Sequence, residues 1–193
     1  MRISTPEFIA LMAMLVATVA LSIDALLPAL PDIAEQLTPK KPNQAQLVLS
    51  AFIVGMALGT FFTGPLSDCF GRKKVIYFGA GIYIIFSSLC LLSINLETIV
   101  PARFMQGIGA AAPRVVSQAL VRDLYSGREM ARISSFIMII FALVPAVAPL
   151  LGAGVILVFN WRFIFLIFIM FALISTIWTA IRICEPLALS LIH

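Results

Sequence analysis

Three ionisable side chains stand inside long apolar runs, and they are the first candidates for chemistry. Asp24 lies within the run Phe8–Pro31, and Arg103 and Arg114 lie within Ile99–Val121. A charge near the centre of a bilayer costs at least ~2.5–3.5 kcal/mol on insertion scales, so such a residue normally faces a protein interior or a water-filled cavity. At 1.5 Å per residue, Asp24 sits ~10 Å inside the outer end of its run and Arg103 ~6 Å inside the outer end of its own. The two are therefore predicted at comparable depth. Arg114 follows about three helical turns after Arg103, on nearly the same face and toward the other end of the run. Two readings of Asp24 and Arg103 are open. In one they line a polar path where a carboxylate in low dielectric exchanges protons near neutral pH. In the other they are a buried structural ion pair, or residues close enough to the interface to snorkel.

The elements that must position these residues follow from composition. Of 193 residues, 62% are hydrophobic and 11% charged, against about 45–50% and about 25% in an ordinary soluble domain. The chain is a polytopic membrane protein. A helix crosses a ~30 Å hydrocarbon core in about 20 residues, which leaves room for about six spans and little else. The runs predict spans at about 8–31, 44–66, 75–95, 99–121, 133–158 and 163–181. Together they make one six-helix unit over residues 1–182, with a short tail at 183–193. Arg2 before an apolar run imitates a secretory signal, but the run is too long for a signal core and has no small-residue cleavage site after it. It reads as a retained first span.

The net charge of +4 and pI of 9.3 do not point to nucleic acid; they reflect Lys and Arg placed to set orientation. Arg2, Arg72, Lys73, Lys74, Arg122, Arg128, Arg132 and Arg182 fall on one side, and Lys40, Lys41 and Arg162 on the other. The positive-inside rule then puts both termini in the cytoplasm. Cys69, Cys90 and Cys184 are far apart, without CxxC spacing or a nearby His, and read as filler or surface thiols rather than metal ligands. No HExxH or GxSxG pattern occurs, and no second membrane carboxylate stands ready to pair with Asp24, so enzymatic chemistry is not expected.

Between the second and third runs lies Gly64-Pro65-Leu66-Ser67-Asp68-Cys69-Phe70-Gly71-Arg72-Lys73-Lys74. Gly64-Pro65 is predicted to end the second span, and Gly64 and Gly71 to permit a tight turn and close helix contact. Asp68 is placed to meet a base or a helix N-terminus, and the three bases hold the loop against anionic lipid. In the second span, Gly55-Met56-Ala57-Leu58-Gly59 is a GxxxG pattern that admits another helix closely.

These residues carry a resemblance. The loop resembles the G-x-L-x-D-R-x-G-R-R/K motif between helices 2 and 3 of major facilitator superfamily transporters, with Gly64, Asp68, Gly71, Arg72 and Lys73 in place and Cys69 where a base is usual. Asp24 through Pro31 resembles the D-x-x-x-P-A-L-P segment of the Bcr/CflA-type drug-resistance proton antiporters, and Arg103 through Ala111 their R-x-x-Q-G-x-G-A-A segment, which includes Gln106. Arg122-Asp123-Leu124 resembles the loop that follows. Pro145, Pro149 and Gly152 look like a variant of the antiporter motif G-P-x-x-G, with Ala148 replacing its first Gly, and imply a packing or gating role.

The resemblance implies an all-α integral membrane fold: six helices in two inverted three-helix repeats, one half of a twelve-helix transporter. It implies proton-coupled efflux of small lipophilic compounds, driven by a proton gradient without a bound cofactor or metal. Asp24, Arg103 and Gln106 would serve the coupling path or the substrate cavity. Arg114, included with them, has no counterpart in the pattern. Helices 7–12 are not in this sequence, so the expected partners are the bilayer, a small-molecule substrate, and either the missing C-terminal half or a second copy. A truncated or split N-terminal half is expected; the alternative is a non-transporting structural or regulatory subunit, or an inactive fragment.

Overall fold

Apolar runs joined by short polar turns must satisfy their backbones internally when lipid surrounds them, and helices do this within each run. The structure, a computed structural model, describes residues 4–38 and 40–183. Expectations resting on Arg2, Cys184 and the rest of the tail lie outside the described residues. Helix α1 spans Thr5–Asp24 and is followed by a 3-10 turn at Leu27–Ala29 and the short α2 at Leu30–Leu37. A second 3-10 turn at Pro42–Gln46 leads into α3 at Leu47–Phe70. Then come α4 at Arg72–Leu92, α5 at Leu96–Leu124, α6 at Gly127–Val158 and α7 at Phe163–Arg182. No strand occurs among the described residues.

The helices run alternately up and down, and polar contacts mark the two ends. At one end Arg72 of α4 meets Asp123 of α5, Lys73 donates to the Ala180 carbonyl of α7, and Arg182 of α7 pairs with Glu7 of α1. At the other, the α6–α7 turn presents buried Trp161, whose indole N–H donates to Gln36 of α2 at 3.0 Å. Arg162 beside it donates to the Ser93 carbonyl after α4 and to Gln36. Two apolar clusters fill the bundle between these ends. One gathers Leu26, Phe52, Tyr83, Trp161 and Phe168, and the other Phe8, Leu15, Ile76, Leu120 and Ile133.

Lipid tails are as apolar as the helices, so close van der Waals packing, rather than hydrophobic exclusion from water, holds the helices together. Accordingly α5 is clasped between α3 and α4 through glycine. A Cβ at Gly107 would overlap the Phe52 carbonyl oxygen of α3, and one at Gly55 would overlap the Phe104 carbonyl of α5. On the other flank, a Cβ at Gly109 would stand 2.6 Å from the Tyr83 backbone nitrogen of α4. The Gly55–Gly59 pattern thus does admit a helix, and that helix is α5. Among the described residues five helices are long and apolar enough to cross a membrane. Among the six crossing helices α5 is the exception, although it has 29 residues, because it carries Arg103, Gln106 and Arg114 along its length.

Three local expectations need correction. The first run is not one helix through Pro31: α1 stops at Asp24, and the Ala25–Ala29 stretch, containing Pro28, bends before α2. Gly64-Pro65 does not end the second span, since α3 passes through Pro65 and continues to Phe70. A membrane helix tolerates proline where neighbouring groups relieve the lost donor. The reversal falls instead on Gly71 alone, whose φ of 99° lies in the left-handed region open to glycine. Gly64 makes no close helix contact, with nothing within 4 Å of where its Cβ would be.

Candidate functional site

Arg103 is wholly buried at the junction of α1, α3, α4 and α5. Its side chain is held by three neutral acceptors. Nε donates to the Val48 carbonyl at 3.2 Å, Nη1 to Gln106 Oε1 at 2.7 Å, and Nη2 to the Ser22 carbonyl at 3.0 Å. The ring of Phe52 lies 4.4 Å from the guanidinium carbon and that of Phe165 5.7 Å, supplying cation–π attraction. No described carboxylate pairs with Arg103, so polar and aromatic contacts offset its desolvation. Gln106 passes the network on, its amide N–H donating to Ser87 Oγ at 2.6 Å, and Ser87 donates to the Tyr83 carbonyl at 2.6 Å. The Tyr83 hydroxyl returns to Ser22 Oγ at 2.5 Å, which closes the circuit on α1.

The break after α1 makes one of these bonds available. The Leu26 N–H bonds to the Ile23 carbonyl at 3.3 Å instead of reaching back four residues to Ser22. The Ser22 carbonyl is thereby released from the helix ladder, and Arg103 takes it. Asp24, two residues further, is half-buried at the last position of α1. It has no hydrogen bond or ion pair with the described residues, and it does not pair with Arg103. Arg103 bonds to α1 two residues, about half a turn, before Asp24.

Helix α6 seats against the same break. A Cβ at Gly152 would overlap the Ala25 carbonyl oxygen and would stand 3.0 Å from the Pro28 ring. Ala148, one turn earlier, is fully buried, whereas Pro145 is exposed and Pro149 half-buried. The Asp24–Pro31 and Pro145–Gly152 segments, far apart in sequence, are therefore in contact.

At the Arg72 end the loop motif also closes on itself. Arg72 Nη1 meets Asp68 Oδ1 and Ser67 Oγ, each at 2.5 Å, and Nε meets Asp123 Oδ2 at 2.9 Å. Lys73 Nζ donates to the Ala180 carbonyl at 3.0 Å. Asp68 thus meets a base, as its position predicted, and that base also reaches the Arg122-Asp123-Leu124 segment. Cys69, in the place of the usual base, is exposed.

A family model described as Major Facilitator Superfamily matches residues 12–188. The chain belongs to the major facilitator superfamily. It is 37% identical over 181 residues to an uncharacterized MFS-type transporter, YdgK, of Bacillus subtilis (strain 168), covering 93% of this chain and 45% of that protein. It is 37% identical over 173 residues to a bicyclomycin resistance protein homolog of Haemophilus influenzae, covering 89% of this chain and 43% of the other. Multidrug resistance protein MdtL of Citrobacter koseri is 38% identical over 143 residues, 74% of this chain and 36% of its own length. Among solved structures, the inward-open xylose transporter XylE of Escherichia coli superposes with a TM-score of 0.79 at 14% identity, covering 95% of this chain and 49% of XylE. The human organic anion transporter MFSD10 gives 0.74 at 20% identity, covering 96% and 49%. The chain spans about half the length, or less, of the relatives it matches, and its fold is one half of the superfamily's helical bundle. It is an integral membrane protein.

Within this superfamily half, the network around Arg103 draws on residues that motif reading passed over: Ser22, Ser87, Tyr83 and the Val48 carbonyl. The hydroxyls inside apolar runs were the available signal, since a buried polar group needs a partner. Arg114 stands apart from the network, half-buried, with Nη1 3.5 Å from Met56 Sδ, a weak acceptor. Among the described residues no group of three or more His, Cys, Asp or Glu is placed to hold a metal ion.

Proposed function

We propose that this chain forms the N-terminal half of a transporter that exports small lipophilic compounds in exchange for protons across a bacterial inner membrane. The observation that carries the reading is the arrangement of Arg103 and Asp24: a buried guanidinium whose partners among the described residues are all neutral, bonded to α1 at the break where a carboxylate sits that pairs with no described residue. A fixed positive charge beside a lone carboxylate lets one proton decide the local charge balance. Asp24 accepts and releases that proton. Because the break also packs on Gly152, a change at Asp24 acts on the seat between α1 and α6. The names of the relatives, which refer to multidrug and bicyclomycin resistance, support export.

In this reading the Arg72 end faces the cytoplasm, with both termini, because Lys and Arg are retained there. The proton gradient supplies the energy, without a bound cofactor. Transport in this superfamily architecture uses a cavity between two halves, so the working unit pairs this chain with a complementary six-helix half, or with a second copy of itself. The test is reconstitution of the chain with its complementary half in vesicles under an imposed pH gradient. Uptake of an uncharged lipophilic dye such as Nile red should follow the gradient and stop when the gradient is collapsed. Asp24→Asn should abolish the gradient-driven component. A wild-type pair that moves no substrate, or an Asp24→Asn pair that keeps full gradient dependence, would overturn the proposal.

A further inference from the structure

Near the Arg72 end, α1, α5 and α6 line a partly open cavity of about 260 Å³ that shares no residue with the Arg103 network. Its walls are Val16 of α1, Val121 of α5, and Ile137, Met138 and Met130 of α6. This volume lies just below the ~300–1,000 Å³ of drug-sized ligand pockets, and the two methionines give it walls that adapt to more than one apolar shape. Ser117 and Gln118 of α5 and Ser134 of α6 add neutral polar groups. The charged lining residue is Arg122, which is exposed and makes no hydrogen bond or ion pair with the described residues. Among the described residues no carboxylate lines the cavity. The nearest acid in sequence, Asp123, is engaged by Arg72 at 2.9 Å, and Glu129 lines a different groove, with Arg132, on the other side of α6. One and two turns before Arg122 on α5 stand Gln118 and Arg114, and Arg114 also lacks a carboxylate among the described residues. The electrostatic sense of this face of α5 is therefore uniformly positive.

We infer that this cavity binds an amphiphile bearing a negatively charged group, its apolar body against Val16, Ile137 and Met138 and its anionic end on the Arg122 guanidinium. Guanidinium presents a planar fork of donors that matches a carboxylate or phosphate in bidentate fashion. An uncharged compound of the same shape fills the walls but leaves that fork unused. The inference deepens the transport reading by naming a ligand class. It is tested by binding without any gradient, so either one can fail while the other stands.

The experiment places the whole chain in phosphatidylcholine nanodiscs and measures binding of dodecanoate and of its methyl ester by equilibrium dialysis, with protein-free nanodiscs subtracted. Dodecanoate should bind about tenfold more tightly than the ester. Arg122→Gln should remove that preference while leaving ester binding in place, and Met138→Trp, which fills the cavity, should weaken both. Helical content by circular dichroism shows that each variant is folded. Arg132→Gln, in the neighbouring groove, should leave binding unchanged. Equal affinity for acid and ester, or equal losses from Arg122→Gln and Arg132→Gln, would overturn the inference. Adding phosphatidylglycerol to the nanodiscs separates two sources of the same chemistry. Displacement of dodecanoate assigns the site to an anionic lipid headgroup, and persistence assigns it to a free amphiphile; both support an anion-selective cavity.

Discussion

Arg103 and Arg72 are both arginines gripped by three partners, yet they solve opposite problems. Arg72 sits at the end of the bundle against Asp68 and Asp123, whose side chains are 64% and 35% exposed, so water and salt share in its stabilisation. Arg103 has no exposed surface and no carboxylate partner among the described residues, and holds its charge with two backbone carbonyls, an amide and two aromatic faces. The lesson is that charge compensation at the surface is ionic and screened, whereas inside the bundle it is dipolar and bound to helix geometry. Moving α1 would take the Ser22 carbonyl away from Arg103; it would leave Arg72, whose partners lie on α3 and α5, untouched.

Four substitutions test this contrast, beginning with the most disruptive. Gly107→Leu drives a side chain into the Phe52 carbonyl of α3 and separates the helices that position Arg103. The chain should yield no cooperatively folded bundle in detergent, read as the loss of a thermal unfolding transition. Arg103→Ala strips the partners from Ser22, Val48 and Gln106 and leaves a void, and should destabilise the chain by about 3–5 kcal/mol with no dependence on salt. A loss under about 1 kcal/mol would show that the dipolar cage contributes little. Gln106→Leu keeps the volume but leaves Arg103 Nη1 and Ser87 Oγ without their shared partner, for a cost of about 1–3 kcal/mol in the same unfolding measurement. Arg72→Gln should cost about 1 kcal/mol or less at low ionic strength and almost nothing in high salt. If Arg103→Ala proved as salt-sensitive as Arg72→Gln, the distinction between dipolar and ionic compensation would collapse.

Much of the molecule was legible from residue types alone. Apolar runs of bilayer length announced the spanning helices, and the Gly55–Gly59 spacing announced a close helix neighbour. The spacing of Asp68, Gly71 and Arg72 pointed to the superfamily that the family match then established. Other features were misread because a local signal was overridden. Gly64-Pro65 reads as a stop, yet α3 passes through it, since a helix held by its neighbours absorbs one missing donor more cheaply than a reversal at that depth. Asp24 and Arg103 were placed at the same depth by counting residues, but counting gives no azimuth between helices. The structure turns Arg103 to a carbonyl two residues away from Asp24 rather than to the carboxylate.

The sequence by itself determined that this chain lives in a bilayer, that it is built of helices, and that Asp24, Arg103 and Arg114 are charges requiring explanation. Composition and period suffice for those statements because the cost of exposing polar backbone to lipid leaves few structural choices. Only the tertiary structure decided which groups compensate Arg103 and that Asp24 pairs with no described residue. It gathered Ser22, Val48 and Gln106 from three helices around Arg103, set Gly152 against the break beside Asp24, and left Arg122 at the edge of an apolar cavity. Such partners are distant in sequence, and their meeting depends on how glycine contacts set helix separation and rotation. No single run of residues encodes that geometry.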